Sequence, residues 1–235
     1  VYPFLEKYTK NGIKMDMQTI DNELFKNVNH EINIQKTKFT FFSPQRMGIP
    51  KGTDLLWKAL KLCKTDFEIL QVNWFDESNN EELKIKDKLL NELPSQIKLI
   101  PMIERKKMPE YYSFADAIIG NMRIGTWELV DLEGVMCGKP VLSYSDSNHK
   151  LLIKGNYTKS AFLPHSNKPE DIAKIIDKIV SSKEFRDELF ENERKFVSNS
   201  TDKEWISNWW DELFETFSQK YENIHKNSSS ISIKI

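Results

Sequence analysis

Two cations in one loop are the first residues of this chain whose types and spacing suggest chemistry. Arg46 and Lys51 lie in the segment SPQRMGIPKGTDLL (43–56), after a strand-like run and before a helix that begins near Thr53. Arginine, lysine and the free N–H groups of a helix start all bind phosphate oxygens. The loop is therefore a candidate diphosphate site, although an isolated pair with this spacing is more often a solvated basic loop.

A carboxylate inside a predicted helix is the second candidate. The segment TWELVDLEGVMCGKPV (126–141) predicts a helix that Thr126 caps at its start. Gly138 suits the position just after the last turn, and Pro140 prevents the helix from continuing. A strand is predicted to follow directly.

Glu133 lies in the middle of the apolar arc of that helix, and Asp131 and Gly134 are predicted to point the other way. The arc consists of Leu129, Val130, Leu132, Met136 and Cys137. A buried ionised carboxylate costs several kcal/mol unless it is paired. Glu133 is thus either one half of a buried ion pair or a ligand for two hydroxyl groups, such as those of a ribose. The helix alone leaves both open.

The elements that must position these residues alternate along the chain. Strands are predicted at 38–42, 67–74, 97–103, 116–120, 140–145 and 160–164, and helices at 52–63, 80–93, 108–115, 126–137, 168–181, 183–198 and 201–222. This alternation predicts an α/β fold, a single Rossmann-like parallel sheet with helices on both faces and a long C-terminal helix. Ligands bind such sheets beyond the carboxyl ends of the strands.

Composition excludes several other classes of protein. The net charge of −1 does not favour a nucleic-acid partner, which would require a basic excess. No apolar run approaches the ~20 residues needed to span a bilayer. The two cysteines, Cys63 and Cys137, lie in predicted helices far apart in sequence, and the histidines show no ligand spacing, so no metal site is predicted. We expect a cytoplasmic protein, with peripheral attachment to a membrane left open.

Four segments together are similar to one known family. QRMGIPKGTDLL, IKLIPMI, NMRIGTWELVDLEGVMCGKPV and KPEDIAKIIDKIV follow the order and spacing of motifs in GT-B glycosyltransferases of family 4, the group 1 transferases. The match covers about residues 36–200 and resembles the nucleotide-sugar-binding, C-terminal half of that fold. The most specific part is the Leu-x-x-Leu-Glu-x-x-Met-x-Cys-Gly-x-Pro-Val pattern.

The resemblance implies roles for individual residues in binding the diphosphate of a nucleotide sugar. Arg46 and Lys51 would bind its oxygens, and the N–H groups near Trp127 and Leu129 would add to them. No metal and no cofactor is implied, because these groups would offset the charge of the diphosphate.

Other positions would bind the nucleoside. Glu133 would bind the ribose hydroxyls, and the backbone near Met102 and Ile103 would contact the base.

Several positions depart from the family pattern, and two of them bear on catalysis. The glutamate that the family places eight residues before Glu133, which contacts the transferred sugar, falls on Gly125. The glycine that the family places at the helix start is Glu128. Glu128 is therefore the candidate catalytic carboxylate, acting from a shifted position.

The resemblance implies a retaining hexosyltransferase that takes its sugar from a nucleoside diphosphate sugar and transfers it to a lipid-linked or polysaccharide acceptor. The implied layout is the end of an N-terminal domain and a hinge at 1–30, the donor-binding domain at 31–200, a crossover helix at 201–222 and a flexible tail at 223–235. The domain alone would be inactive.

The aromatic stripe of the terminal helix would contact the missing N-terminal domain or a second copy of the chain. Two alternatives remain, a catalytically impaired nucleotide-sugar-binding or partner-docking module and an epimerase of the same architecture.

Overall fold

The computed structural model describes residues 19–148, 150–154 and 156–228. The predicted end of an N-terminal domain and the first part of the hinge fall on residues 1–18, outside the described residues. Residues 229–235 of the predicted tail also lie outside them.

Five parallel strands form one sheet in the order β3-β2-β1-β4-β5. They are β1 (Phe39–Ser43), β2 (Phe67–Val72), β3 (Ile97–Ile100), β4 (Ala117–Ile119) and β5 (Val141–Leu142). The chain moves outward from β1 to β3 and then returns to the other side of β1 with β4. The loops after β1 and β4 therefore diverge and leave a crevice, which is where ligands bind in open parallel sheets.

Seven α-helices are found among the described residues. They are α1 (Thr53–Leu60), α2 (Asn80–Asn91), α3 (Met108–Phe114), α4 (Leu129–Met136), α5 (Pro169–Ser181), α6 (Lys183–Ser200) and α7 (Lys203–Ser228). None of the helices in the described ranges is both long and apolar enough to cross a membrane.

Alternating residues of the strands divide the core into two layers. Phe42 of β1 packs in a cluster with residues of α3, α4 and α6, whereas the adjacent Phe41 packs with residues of α1 and α5. Neighbouring strand residues point to opposite faces, so helices cover the sheet on both sides. The predicted fold class, a single parallel sheet with helices around it and a long C-terminal helix, is confirmed.

Three parts of the structure differ from the predicted elements. Residues 160–164 do not form a strand, and only Leu163 bridges to Leu142 of β5. A hairpin of β6 (Lys150–Ile153) and β7 (Asn156–Lys159) was not predicted. All four residues of β7 are exposed, so its sequence carries no alternation of apolar and polar residues that would mark a strand. Helix α7 continues to Ser228, so residues 223–228 are helical rather than tail.

The described part of the predicted hinge packs onto the domain. Residues 19–38 form neither helix nor strand, yet Ile20 and Phe25 are buried. The Phe25 ring meets the ring of Tyr112 edge-on, with centroids 6.0 Å apart. This segment therefore contributes to the core of the domain that it precedes.

Candidate functional site

The loops after β1 and β4 meet at the crevice of the sheet. The Met122 N–H donates to the Lys51 carbonyl oxygen over 2.9 Å. Gly52 allows this approach, since a Cβ on it would lie 2.8 Å from the Met122 carbonyl carbon, and its φ of +75° also favours glycine. The loop that contains both predicted cations is thus held at the carboxyl end of β4.

A cavity of about 480 Å³ opens at this crevice. Its wall consists of Pro44, Gln45, Arg46, Lys51, Trp74, Glu128, Leu129 and Val130. Four residues predicted for the site, Arg46, Lys51, Glu128 and Leu129, therefore meet around one space. Trp74 follows β2, the strand next to β1.

Both cations in this wall are paired with carboxylates. Arg46 Nη1 lies 2.6 Å from Asp76 Oδ2, and the Lys51 ammonium pairs with Glu128. Hydrogen bonds from Ser78, with a smaller contribution from Arg46, lower the pKa of Asp76. Asp76 was not among the predicted residues, although its place after β2, at the same edge of the sheet, could have indicated it.

The start of α4 differs from the sequence prediction. Glu128, not Thr126, is the N-cap residue, and the helix begins at Leu129. The Asp131 carboxylate accepts the Glu128 N–H over 2.8 Å and so closes the first turn. Trp127 is buried against Phe196, with ring centroids 4.9 Å apart, and anchors this start to α6.

The predicted orientation of α4 was wrong in part. Asp131 and Gly134 face inward, and a Cβ on Gly134 would lie 2.9 Å from Ile118 of β4. Leu129, which was placed on the buried arc, is 47% exposed and lines the cavity. Helix α4 is covered on several sides, so its apolar residues do not mark one buried face.

Asp131 is the most deeply enclosed carboxyl group near the cavity. Its Oδ2 atom accepts from the Glu128 N–H and from Ser143 Oγ at 3.0 Å. Burial raises its pKa to about 7. Gly120 makes room for it, because a Cβ there would lie 1.9 Å from Asp131 Oδ1.

Glu133 is a buried carboxylate that pairs with a largely exposed arginine. Its side chain is 2% exposed, Arg105 Nη2 lies 2.7 Å from Oε1, and the Tyr112 hydroxyl donates to Oε2 over 2.9 Å. The Arg105 guanidinium stacks on the Phe25 ring at 4.8 Å. The Tyr112 hydroxyl oxygen also lies 3.3 Å from the carbonyl oxygen of Val130, a residue of the cavity wall.

Glu133 is thus ion-paired in the structure, and its binding of ribose hydroxyls stays a prediction. Arg105 remains 62% exposed, so the pair lies at the surface of the site. The partners Arg105 and Tyr112 were not predicted, because they are distant from Glu133 in sequence.

The remaining predicted residues lie elsewhere. Met102 and Ile103 follow β3, outside the wall of the 480 Å³ cavity, with Met102 60% exposed. Gly125 adopts a φ of +82°, in the left-handed region that favours glycine. The family's first glutamate would be strained at this position.

No cluster of metal-ligating side chains is present among the described residues. A larger cavity of about 740 Å³ lies along α5 and includes Asp177. Its carboxylate already accepts hydrogen bonds from the N–H groups of Lys64 and Thr65 and from the Thr65 hydroxyl. Asp177 therefore has a structural role, and the residues predicted for the site line the smaller cavity.

Comparisons with known proteins give the family and the fold of the chain. The profile described as "Glycosyl transferases group 1" matches residues 25–196, and the chain belongs to this family. No curated protein sequence matches the chain.

Solved structures show the same fold. Sucrose-phosphate synthase from Thermosynechococcus elongatus aligns with a TM-score of 0.67 and 18% identity, over 93% of this chain and 56% of that one. HepE from Anabaena in complex with UDP-glucose gives 0.60 and 17%, over 86% and 56%. A glycosyltransferase from Rickettsia africae gives 0.53 and 20%, over 84% and 50%. The chain thus spans about half the length of these proteins.

Proposed function

We propose that this chain is the donor-binding part of a glycosyltransferase that uses a nucleoside diphosphate sugar. The observation that carries the proposal is the meeting of Arg46, Lys51 and the start of α4 around one cavity at the crevice of the sheet. The complex of HepE with UDP-glucose supports this donor class. Family membership supports sugar transfer as the reaction.

The diphosphate would bind to the two cations and to the first turn of α4. Arg46 and Lys51 would leave Asp76 and Glu128 and bind the phosphate oxygens. Asp131 already accepts the Glu128 N–H, so the neighbouring N–H groups of Trp127 and Leu129 would bind the phosphate oxygens at the helix start. These groups would offset the charge of the leaving diphosphate without a metal or other cofactor.

The nucleoside would extend from the diphosphate past α4. Arg105 would turn aside, and Glu133, still held by Tyr112, would accept hydrogen bonds from the ribose hydroxyls. The backbone of Met102 and Ile103 would contact the base.

Glu128 is the proposed catalytic carboxylate. It would contact the transferred hexosyl group in place of the family glutamate whose position is occupied by Gly125. Transfer would proceed with retention at the anomeric carbon, to a lipid-linked or polysaccharide acceptor. The chain alone would be inactive, because the acceptor would bind to another domain.

The proposed domain layout places donor binding and acceptor binding in different domains. Residues 1–30 would end an N-terminal domain and form a hinge, and residues 31–200 would bind the donor. Helix α7 would cross back to the N-terminal domain, and the chain would end in a short tail. The enzyme would be cytoplasmic, with peripheral attachment to a membrane as an option for a lipid-linked acceptor.

The donor site is tested by calorimetry with UDP and GDP. Arg46→Ala and Lys51→Ala should each weaken binding about ten-fold or more, because each removes a charge-assisted hydrogen bond. Lys58→Ala, which removes an exposed cation from α1, is the control and should bind as wild type does. Unchanged affinity in both cavity variants would refute the site.

A catalytically impaired binding module is the second candidate. It is favoured by Gly125, which cannot supply the family's carboxylate, and by the carboxylates already paired with Arg46 and Lys51. An assay of the full-length protein separates the two, since a binding module would retain the nucleotide sugar and transfer nothing.

A further inference from the structure

Gln45 is a buried amide at the cavity whose side chain makes no hydrogen bond to the described residues. It follows β1, lines the cavity beside Arg46 and is 6% exposed. Neither its Oε1 nor its Nε2 atom has a hydrogen-bond partner among the described residues. Its backbone is held in place, because Gln71 Nε2 donates to the Gln45 carbonyl over 2.9 Å.

An unpaired amide in this position is costly. Both atoms are covered from bulk water, so solvent does not replace the missing partners. Gln71, the neighbouring buried glutamine, shows the usual arrangement, with its amide nitrogen bonded to two carbonyl groups. The difference between Gln45 and Gln71 points to a partner from outside the chain.

Glu128 has a free oxygen in the same wall. Lys51 pairs with its Oε1 atom, whereas Oε2 is buried and unpartnered in the described part of the chain. Three other side chains there, Trp57, Asp131 and Glu193, have unpartnered buried atoms, but none of them lines this cavity. Unused hydrogen-bonding capacity is therefore found in two residues of the cavity wall, Gln45 and Glu128.

The chemistry of the two side chains identifies the group that they bind. A carboxamide donates and accepts, and a carboxylate only accepts. A phosphate oxygen would leave the Gln45 carbonyl oxygen unpaired and would be repelled by Glu128. Hydroxyl groups satisfy both, because each can donate and accept.

We propose that Gln45, together with Glu128, binds hydroxyl groups of the transferred sugar, so that Gln45 is a specificity-determining residue of the donor site. The inference rests on the proposed function. It adds a residue that recognises the sugar rather than the nucleotide.

Calorimetry on Gln45→Leu tests this with UDP-glucose against UDP and with GDP-mannose against GDP. The variant should lose about ten-fold in affinity for the sugar-bearing ligand that wild type binds, since two neutral hydrogen bonds are removed. Its affinity for the corresponding nucleoside diphosphate without the sugar, UDP or GDP, should be unchanged. An unchanged affinity for the sugar-bearing ligand, or an equal loss for both ligands, would overturn the proposal.

Gln96→Leu is the matched control, because Gln96 lies before β3, and its amide donates to the Leu60 carbonyl over 3.1 Å. This variant should unfold at a lower temperature and discriminate between the ligands as wild type does. Gln45→Leu should not unfold below the wild-type temperature, because leucine replaces an unpaired amide of similar shape. A clear drop would indicate an internal partner and overturn the proposal.

Failure of the wider function is distinguishable. Wild-type protein that binds none of the four ligands overturns both proposals. If wild type binds a sugar-bearing ligand and Gln45→Leu binds it with the same affinity, only the role of Gln45 is overturned.

Discussion

Each cation of the 46–51 loop has its own carboxylate partner, and this changes what the loop can do. Arg46 pairs with Asp76 and Lys51 with Glu128, so the four charges cancel. A diphosphate must compete with two carboxylates that already occupy the cations. At the proposed site Glu128 would therefore oppose binding of the diphosphate, even if it binds the transferred sugar.

Replacing Glu128 by glutamine should consequently strengthen diphosphate binding. Glu128→Gln keeps the shape of the side chain but releases Lys51 and removes a negative charge from the cavity wall. We expect several-fold to about ten-fold tighter binding of UDP or GDP by calorimetry, the scale of one charge-assisted contact. Glu81→Gln, at an exposed site in α2, is the control. Weaker or equal binding by the Glu128 variant would show that the ion pair does not compete with the ligand.

The position of Arg46 and Lys51 was predictable from sequence, but their partners were not. A strand followed by a loop and a helix start places both cations at the carboxyl edge of a sheet. Asp76 and Glu128 are 30 and 77 residues away from their partners. Contacts of that separation depend on which strands become neighbours.

At the scale of elements, α4 is the piece that joins the sheet to the cavity. Its first turn lines the cavity, and Gly134 lets its middle approach β4 and β5. A Cβ on Gly134 would lie 2.9 Å from Ile118 Cγ1 and 3.0 Å from Val141 Cγ2. The position of the helix start thus depends on close packing one turn further along.

Gly134→Ala should destabilise the domain although alanine favours helices. The added methyl group overpacks the contact with β4 and β5 and should cost about 1–3 kcal/mol, more than the gain in helix propensity of about 1 kcal/mol. Urea unfolding measures the difference. Ser198→Ala, at an exposed site of α6, should change stability by less than about 0.5 kcal/mol. A Gly134→Ala variant as stable as wild type would contradict the close approach.

The same helix shows where periodicity misleads. The apolar arc placed Leu129 inside and Asp131 outside, and the structure reverses both. The prediction assumed one buried face, whereas α4 is covered by the sheet, by α6 and by α3. Asp131 is accommodated because Ser143 and the Glu128 N–H bind its carboxylate.

At the scale of the whole molecule, α7 carries exposed aromatic side chains. Phe214 is 60% and Phe217 46% exposed, and the ring of Trp210 stacks on that of Phe214 at 5.5 Å. A contiguous exposed apolar surface marks an interaction site. A second copy of the chain or the proposed N-terminal domain would cover it.

The 235-residue chain by itself should therefore self-associate through α7. In sedimentation experiments, we expect wild type to form dimers at rising concentration and the double variant Phe214→Ser with Phe217→Ser to remain monomeric. Tyr157→Ser is the matched control, since Tyr157 is 70% exposed on the separate β6–β7 hairpin. Identical behaviour of wild type and the double variant would exclude this surface as the interface.

The sequence by itself determined the alternation of strands and helices, the parallel sheet, and the cations and carboxylates of the segments that carry the family resemblance. These features depend on residues close together in the chain, whose periodicity and turn chemistry act locally. Only the tertiary structure decided the order β3-β2-β1-β4-β5, the pairing of Lys51 with Glu128 and the isolation of Gln45. Burial and ion pairing depend on neighbours in space, and packing of the helices on both faces of the sheet chooses those neighbours.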